Sequence, residues 1–469
     1  MADRVEIPIA RRQGEAKSKF VSAQQLRNAF LEQDPETGSF AIYSGPGLRL
    51  FASLTGGAVR GLHNFNGVLL AVVGQTLYTV TQGAAYTARG AIVGTLPVII
   101  DNNGTQAVIV SDAKSYVWDG ATLAEITDPD FQVASSVTFQ DQYMIFTKKD
   151  TGAFFISALA DAASYDALDI ASAESRPDNL VRALAQSREV LLFGTKTLEG
   201  WYDAGDADFP FVRDQTYIDY GLISKYAVAI IDNSVAWLAN DKTVRIVRGG
   251  SPQIISDPLI SAEIEKWTDA SLTMAFTYTL RGHQFLVLRN PDGCLVWDAS
   301  LPPNLAWTSR ASQDSSTWRV WCSETMTEWG GAIICGDAST GKLYVLDADT
   351  YDENGAELIW SLTSRTMGPG GKNFTLHALE LEIEPGVSLV SGQGSDAQVW
   401  LEVSYDGGFT FGNRLPRSLG ARGERNKQII WRRLGQFLPH GGVLRLSGSD
   451  PVPNALTKGW ADIEADESP

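Results

Sequence analysis

HQFLVLRNPDGCLVWD, residues 283–298, runs apolar, breaks at Asn-Pro-Asp-Gly, and runs back apolar to end on an aromatic and an acid. That is a strand, a tight turn and a second strand. The same arrangement occurs six more times, at 67–80 (GVLLAVVGQTLYTV), 105–120 (TQAVIVSDAKSYVWDG), 141–157 (DQYMIFTKKDTGAFFIS), 189–203 (EVLLFGTKTLEGWYD), 234–247 (SVAWLANDKTVRIV) and 332–347 (AIICGDASTGKLYVLD). Their spacing is near the about 40 to 50 residues of a propeller blade, so the fold class is mainly β, with a six- or seven-bladed β-propeller. The spacing is irregular, which implies insertions. One helix is expected at SDPLISAEIEKW, where Pro258 suits a first helical position and Ile260, Ile264 and Trp267 share a face.

On either side of the propeller, assigned to 59–365, the text changes. Residues 1–58 read as an N-terminal helix and arm. Ser22 and Gln25 form a capping box, Val21 and Leu26 sit as a hydrophobic staple, and Leu26 and Phe30 share a helical face. After Arg365, the Gly-rich MGPGGKN opens a second β module over 366–469. Its alternating segments LHALELEIEPG, AQVWLEVSYDGGFTF, QIIWRRLGQF and GVLRLSGSD suggest a β-sandwich-like platform that the N-terminal arm joins.

At 469 residues the chain has room for two or three such modules. Its 44 glycines and 46 aromatic residues favour short strands and tight turns over long helices. No apolar run reaches the roughly 20 residues of a membrane span, and MADRVEIPIARRQG carries charge where a signal peptide is apolar. Three scattered cysteines, Cys294, Cys322 and Cys335, suit neither a disulfide framework nor a zinc site and read as buried thiols. The net charge of −17 is uneven. Residues 61–365 carry 20 basic and 37 acidic side chains, whereas 412–449 carry eight basic and one acidic. A DNA-gripping protein would usually be basic throughout.

Each motif with a chemical reading meets a plainer one. GDASTGKL (336–343) has the glycines and lysine of a phosphate loop, but Leu343 stands where Ser or Thr would hold magnesium, and LYVLD continues as a strand. SYDGGFTF (404–411) fits an Asp box with Phe411 in place of Trp. There Ser404, Asp406, Gly408, Thr410 and Phe411 would form a structural turn. His63, His283, His377 and His440 are isolated, with no metalloprotease, nucleophile-elbow or Cys-His spacing around them. No catalytic, cofactor-binding or metal-binding residue is assigned, and no cofactor is expected. The late basic group is either a solvated sheet face or a docking surface. Arg422, Arg425, Arg432 and Arg433 are the candidates for assembly contacts, because a guanidinium pairs bidentately with a carboxylate.

Several stretches resemble the packaged-DNA stabilisation, or tail-hub, proteins of short-tailed bacteriophages, often called nozzles. They are LRNAFLEQ with YSGPGLRLFASL, TGAFFIS with SYDALDIASAESRPDNL, GWYDAGDADFPF, DASTGKLYVLDADTYDENG, GQGSDAQVWLEVSYDGGFTFGN, and IIWRRLGQF with SDPVPNAL. The resemblance implies a structural virion protein and not an enzyme. It implies a homo-hexamer below the portal and adaptor proteins, closed by a tail needle or tip, with tail fibres or spikes as further neighbours. Such a ring, assembled in the host cytoplasm and located in the virion tail, retains packaged DNA and conducts it at ejection without binding it specifically. An acidic wall fits that role, since it repels phosphates. The competing reading is a carbohydrate-active or receptor-binding, sialidase-like propeller.

Overall fold

The computed structural model describes residues 3–173, 176–206, 208–314, 317–368, 372–439 and 441–465. The core of the MGPGGKN linker and His440 lie outside these residues. All seven hairpins form, and each is the middle pair of strands of a four-stranded antiparallel unit. The units span 59–91, 99–125, 134–172, 180–218, 228–254 and 274–309, with the seventh built from 323–347 plus Gly47–Ser53. Seven blades are thus present among the described residues, the higher of the two numbers expected. The middle strands are buried almost throughout, as in Val68–Val73, Ala107–Val110 and Ser234–Leu238. Burial on both faces explains why their text is continuously apolar.

Apolar layers between neighbouring blades hold the ring. Between the second and third, Phe131, Phe146, Phe155 and Tyr165 interlock, with the Phe146 and Phe155 rings stacked at 5.0 Å. Aromatic pairs of this kind add about 0.5–1.5 kcal/mol beyond the area they bury. The ring closes where Ser323–Trp329 packs against Val59–Phe65. Gly47–Ser53 supplies the outer strand of the seventh blade, antiparallel to Lys342–Asp347. A blade strand therefore precedes residue 59, and the division placed at 58/59 moves back to about 47. The expected helix forms at Pro258–Glu265. Asp257 caps it by accepting from the Leu259 and Ile260 amides, with Ile260 and Ile264 fully buried.

The helix expected at 22–30 does not form. Ala23–Arg27 is a strand, paired antiparallel with Trp360–Thr363, and Ala29–Gln33 is another, paired with Phe40–Ser44. Between them Asn28 adopts a left-handed φ of 50°, which breaks the helical continuity on which the spacing of Leu26 and Phe30 depended. Val21 is exposed and staples nothing, and the Ser22 hydroxyl donates to the Gly14 carbonyl instead of capping a helix. Alternating burial on a sandwich sheet outweighs a short local helix signal.

The sandwich draws on both ends of the chain. One sheet orders Ala29–Gln33, Phe40–Ser44, Ala455–Ala465, Phe374–Ile383 and Ile429–Arg432. The facing sheet orders Ala23–Arg27, Trp360–Thr363, Val443–Gly448, Gln398–Ser404 and Leu415–Ser418. Leu26, Leu31, Trp360, Phe374, Leu401 and Trp431 fill the space between them. Because Trp360–Thr363 pairs with Val443–Gly448, sandwich sequence begins before the boundary expected at 365/366. Arg27 bridges to Ser309 at the edge of the sixth blade and so joins the two modules.

Candidate functional site

Four features bear on function: the Asp406 turn, the late arginines, the propeller tunnel and the distribution of acid. In the turn, Asp406 accepts hydrogen bonds from the Phe409 amide (3.0 Å), the Thr410 amide (2.9 Å), the Thr410 hydroxyl (2.5 Å) and the Ser404 hydroxyl (2.7 Å). These donors, Thr410 foremost, hold its carboxyl well below the usual carboxylate range. Ser404 also accepts from the Gly408 amide at 2.8 Å, and Gly408 sits at a left-handed φ of 94° that favours glycine. Phe411 lies beneath the Arg445 guanidinium, 3.6 Å away. Both oxygens of the aspartate are engaged by its own hairpin, and among the described residues no carboxylate acts on its ionisation as the partner of a glycosidase pair would.

The late arginines do not form one surface. Arg432 projects from Ile429–Arg432, whose alternate residues Ile429 and Trp431 are buried. Arg433 follows at a left-handed φ of 61°, and both side chains are exposed. Arg425 pairs with Glu384 at 2.6 Å, and Arg422 is exposed in the same loop. Arg417 closes the edge between the sheets by donating to the Ile430 carbonyl beside Trp431. Arg414 and Arg445 lie on the opposite sheet. The sequence brought these residues together only along the chain, and strand alternation separates them in space.

The propeller's own tunnel is obstructed. The segment leading into the fifth blade crosses its mouth, so that the Tyr226 hydroxyl donates to the Pro97 carbonyl (2.8 Å) and Lys225 Nζ to the Ser135 carbonyl (3.2 Å). Arg182 donates to the Lys225 carbonyl, and the Tyr226 ring packs on the core between the second and third blades. Burial, reinforced by Arg182, pulls the Lys225 ammonium down to about 8. Sequence reading missed this plug. Its one legible signal is a Lys-Tyr pair in a loop that must span the ring.

Much of the propeller's acid is turn chemistry. Asp119, Asp166, Asp203, Asp241 and Asp347 each accept backbone N–H groups of the turn they open. The same holds for Asp337 in GDASTGKL, which accepts the Ser339 and Thr340 amides in a plain hairpin. Of the histidines, His63 contacts Asn102, His283 pairs with Asp298 at 2.7 Å, and His377 pairs with Glu464 at 2.9 Å. No cluster of three or more metal-ligating side chains occurs among the described residues, and no helix there is long and apolar enough to cross a membrane.

Comparison with known proteins follows the two modules. Residues 5–351 match the family model described as bacteriophage P22 Gp10, beta-propeller, and residues 359–464 match bacteriophage P22 Gp10, beta-sandwich. No curated protein matches the sequence. Among solved structures, the chain is similar to the extracellular domain of the putative one component system BT4673 from B. thetaiotaomicron, at 10% identity and TM-score 0.44 over 87% of this chain and 59% of that one. It is similar to PorZ of Porphyromonas gingivalis at 11% identity and TM-score 0.39, over 78% of this chain and 46% of that one. A streptogramin B lyase aligns at 9% identity and TM-score 0.42, over 64% of this chain and 96% of the lyase. The chain thus spans less than two thirds of the length of the first two. Matched in order by a propeller and a sandwich model over nearly its whole length, the chain belongs to the bacteriophage P22 Gp10 family of phage tail proteins.

Proposed function

We propose that the chain is a structural subunit of a phage tail nozzle, or hub. Six copies form a ring below the portal and adaptor, closed by a needle or tip, which retains packaged DNA and conducts it at ejection. The ordered match of both modules to one tail-protein family carries this reading. The subunit works without catalysis or a cofactor. A self-satisfied Asp406 turn supports that against the sialidase-like alternative.

The tunnel geometry refines the route. With Tyr226 and Lys225 across the mouth, DNA passes outside each propeller, along a channel enclosed by several copies. The excess of 37 acids over 20 bases in residues 61–365 disfavours phosphate contact along that wall. Arg422, Arg425, Arg432 and Arg433 face neighbouring tail proteins, the adaptor first. A low-resolution image of the purified assembly, showing a sixfold ring or none, tests the ring. Reversing Arg432 and Arg433 to Glu leaves the chain folded, since exposed charges add little stability, and blocks joining to the portal complex. Tight, strongly salt-dependent duplex binding that disappears in this variant while assembly survives would instead place these arginines on the channel.

A further inference from the structure

The outward face of the Ala23–Arg27 sheet holds a groove of about 320 Å³ lined by Arg27, Arg414, Arg445, Trp318, Glu402 and Ser361. Register puts these residues on one face: Arg27 lies opposite Ser361, and Arg445 opposite Glu402. Each arginine stacks on an aromatic ring, Arg27 on Trp318 (4.5 Å), Arg414 on Trp400 (4.6 Å) and Arg445 on Phe411 (3.6 Å). Arg445 reaches Glu402 only at 3.9 Å. Neither Arg27 nor Arg414 has an ion-pair partner among the described residues. Arg27 is nevertheless half-buried, and burial, with Arg445 alongside, pulls its guanidinium below its ordinary pKa. A half-buried, stacked guanidinium without an ion-pair partner among the described residues is suited to receive an anion. Glu402 in the groove wall, with Glu15 acting on Arg27, offsets part of the positive charge, so the groove suits one carboxylate better than a run of phosphates.

The same fold presents a counterpart. In the third blade, residues 157–169 form a surface loop tied down by the Ala160 amide to the Gln142 carbonyl, by the Ala162 amide to the Gln106 side chain, and by Ala162 and Tyr165 buried beneath it. On it Leu168 is 81% and Leu159 59% exposed, beside Asp161 and Asp166. Apolar side chains held in water by an anchored loop and bordered by acid mark a contact surface. The groove sits where the sandwich joins the sixth and seventh blades, and the third blade is three blades from each. Groove and loop therefore lie on different sides of the molecule, an arrangement that permits a head-to-tail contact between copies.

We infer that the Arg27–Arg414–Arg445 groove is a socket for a second copy of this chain, whose 157–169 loop enters it with Asp166 between Arg27 and Arg414 and Leu168 against Trp318. The inference rests on the ring reading above. It is tested on the full chain by mass photometry over a dilution series. Arg414→Glu, Asp166→Arg and Leu168→Ser each raise the midpoint concentration of assembly about tenfold or more, the size of a hot-spot contact, with unchanged melting temperature. An equimolar mixture of Arg414→Glu and Asp166→Arg chains reassembles, because each socket then meets a loop of opposite charge. Equal assembly by wild type and all three variants overturns the socket and leaves the ring standing. Wild type that stays monomeric at every concentration overturns both. Binding of a duplex oligonucleotide that is lost in Arg414→Glu, with assembly intact, makes the groove a phosphate site and overturns the socket.

Discussion

Replacing Asn28 tests whether propeller and sandwich behave as one body. Its side chain is 1% exposed. The amide nitrogen donates to the carbonyls of Ala311 and Ile359, each at 2.8 Å, and the amide oxygen accepts the Ala311 N–H at 2.9 Å. One residue thus ties the N-terminal arm to the connection after the sixth blade and to the first sandwich strand beyond the propeller. Asn28→Ala leaves three backbone groups without partners, each costing about 1–3 kcal/mol when fully dry. Holding alanine at a φ of 50° adds about 1 kcal/mol. Allowing water to recover part of the polar loss, the expected destabilisation is about 3–5 kcal/mol. Asn28→Gly loses the same bonds without the backbone penalty and should lie about 1 kcal/mol closer to wild type. Urea unfolding followed by tryptophan fluorescence supplies the free energies, and hydrogen exchange at the Ala311 amide reports the local bond. An Asn28→Ala variant within about 1 kcal/mol of wild type, with Ala311 still protected, would refute the reasoning.

Further outcomes follow from the same structure. Asp406→Ala should lose about 1 kcal/mol, small because the turn is exposed, with no change in any hydrolytic activity. Because the folded carboxyl titrates below its unfolded value of about 3.9, that contribution is present above it and lost as pH falls through the folded value. Variant and wild type should therefore converge in acid melts; a constant gap down to low pH would argue against the turn bonds. Lys225 has a folded pKa of about 8 against about 10.4 unfolded, so between these values the unfolded chain binds the extra proton and stability rises with pH. Lys225→Met should flatten that rise in melts taken across the window, and an unaltered slope would mean that Lys225 is not the titrating group. Cys294 and Cys335, whose thiols burial pushes up to about 12, should react with a thiol reagent only after denaturant is added. Rapid labelling of both in the native protein would contradict their placement in the core.

The seven hairpins were legible because their strands are buried on both faces and their turns carry Gly, Asp and Asn. The outer strands were not. Tyr86–Ala91 is almost wholly exposed, and Leu123–Glu125 is three residues long, so neither carries an apolar rhythm. The strand Gly47–Ser53 could not be assigned to the seventh blade because its partner lies about 300 residues away, and no local pattern encodes that pairing. Ser22 and Gln25 misled for a related reason. A capping box is a local signal, and the sheet contacts of Leu26 and Asn28 are not. The Asp406 turn was readable residue by residue, since its bonds all fall within its own hairpin. The basic segment was readable as charge but not as geometry, because successive strand residues face opposite ways. Arg27, which joins the groove from the N-terminal arm, lies far from that segment in sequence.

The order of the closing strands has a consequence for synthesis. Residues 23–53 are made well before the strands that complete their pairing, at 342–347, 361–363 and 455–456. Until then the arm's local hairpin, Ala29–Gln33 with Phe40–Ser44, and the strand Gly47–Ser53 present open edges, the kind of surface that recruits other chains into mispaired aggregates. The early blades can form by local pairing while this segment waits, but closure and sandwich assembly require contacts of very large sequence separation and set the slow step. Docking of these late strands onto the waiting arm, more than the stability of any blade, would govern the yield of closed subunits.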